Sequence, residues 1–116
     1  MDFTKAVNAH VAWKVKLLSA ISGGEKLDHA IVCKDNQCEL GKWIYGEGAI
    51  HGSKVSYEPL RTKHAHFHKC AGDVVVKVNA GDKTGATAML GAGSAFANAS
   101  TDTVSAIVAM RKELGL

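Results

Sequence analysis

Over residues 1–22 apolar side chains recur at Phe3, Val7, Val11, Leu17, Leu18 and Ile21. Spacings of three or four residues belong to one face of an α-helix. They predict an amphipathic helix over residues 2–22, stopped by Gly23-Gly24, with His10 on the edge of its apolar stripe. Residues 25–34 suit a short second helix, and Asp35-Asn36-Gln37 a turn leading into Cys38. Residues 38–45, CELGKWIY, read as a packed connecting turn or short helix, and Gly46, Gly48 and Gly52 loosen the chain around His51.

The second half is more strongly patterned. Ser56 is placed to cap a helix with Pro59 near its start, and Tyr57, Leu60, His64, Phe67, His68, Ala71, Val74, Val75 and Val78 follow the helical period. The run Val74-Val75-Val76 also suits a strand, but a strand there would lack partners, so the helix is expected to continue through it. Residues 79–85 form a turn by composition. A last helix is expected over residues 87–114, with Met89, Ala92, Phe96, Thr103, Ile107, Met110 and Leu114 facing inward. The fold class that follows is all-α: an antiparallel helical bundle, four-helix-bundle-like, with short extra helices. At 116 residues the chain makes one domain, 1–116.

Composition adds exclusions. Apolar residues at 47% against 22% charged describe a folding chain, not a disordered one. A net charge of +3 with scattered lysines predicts neither a nucleic-acid partner nor membrane insertion. The first ten residues lack the apolar run of a signal peptide, so a cytoplasmic location is expected. Three cysteines argue against a disulfide framework and leave thiols free for metal or redox chemistry.

Six histidines among 116 residues change the picture further. On a helix His64 and His68 stand one turn apart and can offer both imidazoles to one ion, while His66 points elsewhere. A metal needs more ligands, and His10 and Cys38 complete a possible set of four. Taken singly, His10 reads more readily as a hydrogen-bonded histidine at the core edge, and Cys38 as a small buried side chain, than as metal ligands.

His10-Val-Ala-Trp13, then Cys38-Glu-Leu-Gly41-Lys-Trp43, then His64-x-x-Phe67-His68 resemble, in order and spacing, the chemoreceptor zinc-binding (CZB) domain family. The resemblance implies a helical bundle around an internal zinc site. It implies one zinc ion per chain, held by His10, Cys38, His64 and His68. It also implies a sensory or regulatory role in bacterial signalling, in chemotaxis or cyclic-di-GMP control, rather than an enzyme. Cys38 is then the redox switch, because the family responds to zinc and to hypochlorous acid through the zinc-bound cysteine. Trp13, Gly41 and Trp43 are expected to pack around the site, and Asp28, Asp35 or Glu39 to accept hydrogen bonds from ligand imidazoles. Cys33 and Cys70, like His29, His51 and His66, receive no role.

In this family the domain is commonly attached to a chemoreceptor signalling module or a diguanylate cyclase, and 116 residues hold neither. The chain therefore reads either as an excised domain or, given its opening Met and closing helix, as a stand-alone member, which is the expectation kept here, acting as a homodimer or through a partner in a chemoreceptor or diguanylate cyclase pathway. The alternative is a zinc-stabilised structural or protein-interaction module without a sensing role.

Overall fold

A computed structural model describes all 116 residues, and every element in it is helical. The elements are α1 (Phe3–Gly23), α2 (His29–Val32), α3 (Glu39–Tyr45), a 3₁₀ turn (Glu47–His51), α4 (Tyr57–Asn79), α5 (Lys83–Met89) and α6 (Ala95–Glu113). Short polar side chains start most of them: Asp2, Asp28, Asp82 and Ser94 each accept a backbone N–H of the first turn. Gly24 ends α1 in the left-handed conformation, at φ 67°.

Two apolar clusters give the direction of each element. One joins Leu17 and Ile21 of α1, Val32 of α2, Phe67 to Val75 of α4, Ala86 of α5 and Phe96 of α6. The other joins Phe3 and Ala6 of α1, Leu40 and Ile44 of α3, Tyr57 and Leu60 of α4, and Ala106, Ile107 and Met110 of α6. Thus α1 and α4 run parallel from the second cluster to the first, and α6 runs back against both. The segment through α2 and α3 also runs back, because Val32 belongs to the first cluster and Leu40 to the second. Its short helices take the place of a fourth helix, which gives the antiparallel, four-helix-like order expected from the pattern.

Several local expectations change. The helix expected over residues 87–114 is two, because Gly91 and Gly93 (φ 80°) break it and Ser94 caps a new start. Ala92, expected inside, lies exposed in this break. The second helix shrinks to His29–Val32. Ser56 stands before α4 without capping it; its hydroxyl turns to Glu113 and Met110, tying the start of α4 to the end of α6. On α1, Val11 and Leu18 face solvent, and the buried face is Phe3, Ala6, His10, Leu17, Ala20 and Ile21. His10 is therefore central to that face and not on its edge.

Candidate metal centre

Between the two apolar clusters lies a polar layer. His10 from α1, Cys38 from the turn before α3, and His64 and His68 from α4 bring one ligand atom each to within 4.8 Å of one another. The histidines are buried, at 2%, 0% and 2% exposure, and Cys38 is half-buried. Local structure explains the convergence. His64 and His68 share a face of α4 four residues apart, with Nε2 atoms 3.0 Å from each other. Cys38 is the N-cap of α3, where its Sγ accepts the Gly41 N–H at 3.4 Å and lies 3.2 Å from His64 Nε2 and 3.6 Å from His68 Nε2.

Two of the three imidazoles are oriented from behind by main-chain carbonyls. His10 Nδ1 lies 2.7 Å from the Ala6 carbonyl oxygen, and His68 Nδ1 2.9 Å from that of Val32. A hydrogen on each Nδ1 leaves Nε2 with a free lone pair, the tautomer a metal ligand needs. The acceptors expected among Asp28, Asp35 and Glu39 are thus replaced by backbone. Asp28 caps α2, and Asp35 bonds to Tyr45 while its charge favours the protonated form of His68. Ala6 was readable as the residue one turn before His10, but the Val32 carbonyl, 36 residues from His68, leaves no mark in the sequence.

Burial holds all three histidines below the ordinary imidazole value, His64 down to about 2, with mutual repulsion adding at His64 and His10. They are therefore neutral donors at neutral pH. Burial raises the Cys38 thiol, against the pull of the backbone N–H groups around it. A cation among these atoms reverses that preference and favours the thiolate.

The residues expected to pack around the site separate. Trp13 meets His68 edge-on at 6.4 Å and, with Ile31, Val32, Lys34 and Gln37, walls a surface cavity of about 180 Å³ that Cys38 and His68 also line. Trp43 takes other partners: its ring meets Phe3 edge-on at 5.2 Å, stacks on His51 and lies over Gly48. Gly41 serves the turn. A Cβ there would stand 1.8 Å from the Asp35 carbonyl oxygen, so only glycine lets the 35–37 turn fold back over α3 and set Cys38 in place. His66 is exposed, 3.5 Å from Cys70, and the three cysteines are free thiols.

The donor set fits a tetrahedral zinc ion. Zn–N and Zn–S bonds of about 2.0–2.3 Å separate neighbouring ligand atoms by roughly 3.3–3.8 Å; the pairs among Cys38, His64 and His68 lie at 3.0 to 3.6 Å, and with His10 included the four atoms fall within 4.8 Å of one another. His10 Nε2 is buried and has no hydrogen-bond partner in the protein, as expected of an atom aimed at an ion. The family profile described as "Chemoreceptor zinc-binding domain" matches residues 10–75, more than half of the chain, and spans all four of these candidate ligands. The chain belongs to the chemoreceptor zinc-binding domain family. No curated protein and no solved structure matches it. No helix of this CZB domain is long and apolar enough to cross a membrane.

Proposed function

We propose that this CZB domain binds one zinc ion through His10, Cys38, His64 and His68, and acts in the cytoplasm as a sensory or regulatory module whose switch is Cys38. The observation that carries the reading is the convergence of three neutral, buried imidazoles and one thiol from three separate elements. Four protein donors complete a tetrahedral shell and leave no position for a reactant water, so the role is regulatory and not enzymatic.

The single sulfur is the ligand open to chemistry. Bound zinc supplies the positive charge that keeps Cys38 a thiolate in a place where burial otherwise favours the thiol. The thiolate, with hypochlorous acid, gives the sulfenic acid and chloride in a two-electron oxidation of sulfur. Cys38 then donates less well, and the turn that Gly41 and Asp35 hold against α3 is free to shift. The half-buried Cys38 and its surface cavity support access for so small an oxidant.

The output passes through a second copy of the chain. Val11, Val15 and Leu18 stand exposed at helical spacing along α1, and Val108 is exposed on α6, against which α1 packs. Pairing through these residues would carry a shift in helix packing to the partner, and from there to a chemoreceptor or diguanylate cyclase pathway.

Metal analysis of protein purified without added zinc, with and without mild hypochlorous acid, tests the reading. One equivalent of zinc is expected, released as Cys38 is oxidised. The Cys38→Ser protein should bind zinc at least about 100-fold more weakly. Zinc retained by a fully oxidised, still folded chain would leave a purely structural metal site.

A further inference from the structure

We infer that His64 is the labile ligand of the site, the imidazole that gives up its position first when a small nitrogen or anionic donor competes for the metal. The inference rests on the zinc reading above and concerns how unequally the chain holds its three imidazoles.

An imidazole that ligates through Nε2 carries its hydrogen on Nδ1, and the acceptor behind that hydrogen fixes the ring and strengthens the donor. His10 has the Ala6 carbonyl at 2.7 Å and His68 the Val32 carbonyl at 2.9 Å. His64 has none. Its Nε2 faces Cys38 and His68, so its Nδ1 points away from the ligand cluster, buried and without a hydrogen-bond partner, on a residue of 0% exposure. On its Nδ1 side only packing holds the ring, which lies edge-on to His10 at 5.0 Å and to His68 at 4.5 Å. Removing the outer hydrogen bond of a metal-bound histidine typically weakens metal binding about 10–100-fold. His64 lacks that bond from the start. Its buried N–H stays unsatisfied while the ring ligates, and rotation away from the metal is the motion that can relieve it.

Two measurements test this. Zinc affinities of the unaltered chain and of His10→Ala, His64→Ala and His68→Ala are compared by chelator competition, with helix content checked by circular dichroism. The His64→Ala protein is expected to lose at least about tenfold less affinity than either of the others, and added imidazole should restore its binding. Equal losses for all three would overturn the inference. Because truncating a buried histidine can unfold the bundle, the second measurement uses the unaltered, zinc-loaded protein. In its proton NMR spectrum the Nδ1–H signals of His10 and His68 should lie downfield, as hydrogen-bonded ring protons do, and that of His64 should not. A His64 signal as far downfield as the other two overturns the inference while leaving the zinc site intact. An unaltered chain that takes up no zinc overturns the metal reading itself.

Discussion

Gly41 controls the sulfur of the site without touching a metal. A methyl group at this position meets the Asp35 carbonyl, a backbone atom that cannot swing aside, so Gly41→Ala must push the 35–37 turn off α3. The expected cost is ~2–4 kcal/mol of folding stability, as for a steric clash in a packed core, and a zinc affinity at least about tenfold lower because Cys38 moves with the turn. Thermal unfolding together with a zinc titration checks both, and a variant with unchanged zinc affinity would show that Cys38 is placed independently of this turn. The three buried histidines predict a pH dependence. Each is held below its ordinary value of about 6.5 in the folded, metal-free chain, so below that pH the unfolded chain binds more protons than the folded one. Their contribution to stability is fully present above about pH 6.5 and is lost as pH falls, by up to about 1.4 kcal/mol per pH unit for each group. Urea unfolding of metal-free protein from pH 8 down to pH 5 should show this decline, and a flat profile would mean that the rings are not buried as neutral groups. The His64–His68 pair was legible because helical periodicity places residues four apart together. His10 and Cys38 were legible only through ordered family motifs, since nothing in a single sequence reveals that residues 10, 38 and 64 share a layer. The backbone carbonyls that orient two of the rings were beyond reach, because every residue carries one.

At the scale of elements, α2 is only four residues long yet sets the acceptor for His68, through the Val32 carbonyl. What lets it come close enough is Gly72 on α4, where an added Cβ would lie 2.8 Å from the Cβ of Cys33 and 3.3 Å from His29 Nε2. Gly72→Ala is therefore expected to lift α2 by a few tenths of an ångström, lengthen the His68–Val32 hydrogen bond and weaken zinc binding about tenfold, with ~1–3 kcal/mol lost from stability. A zinc titration and a chemical melt check the two effects, and a loss of stability with unchanged zinc affinity would separate α2 from the metal. The long helices were legible from periodicity, including the continuation of α4 through its valines. The break between α5 and α6 was missed because Met89, Ala92 and Phe96 keep the helical spacing across it. Gly91, Gly93 and the cap at Ser94 decide against continuity, and local turn chemistry overrides an apolar pattern when its residues are small.

Over the whole molecule the metal layer divides the core into an upper cluster of 12 buried residues and a lower one of 9. The layer meets the upper cluster where the His10 and His68 rings pack edge-on to Phe67, and the lower one at Cys38. Without a cation it sets three imidazoles and a thiol side by side and leaves His10 Nε2 and His64 Nδ1 without partners, and buried polar atoms of that kind oppose folding. Zinc bound here would give His10 Nε2 a partner, though not His64 Nδ1, and would draw bonds from α1, α4 and the α3 turn to one centre, linking elements that belong to both clusters. Free zinc at about 1,000 times its dissociation constant adds roughly 4 kcal/mol to stability. The gain should not be spread evenly. Helices α1, α4 and α6 run through both clusters and keep apolar contacts on either side of the layer, whereas α3 is anchored through Leu40, Ile44 and its N-cap Cys38. Amide hydrogen exchange with and without zinc should therefore show protection lost first in α3 and the 3₁₀ turn after it, while the centre of α4 stays protected. Uniform loss along all helices would make zinc a general stabiliser, and loss confined to α3 would make it a latch: the metal would then hold the short element that Cys38 caps, and a change at that sulfur would reach the bundle by releasing it.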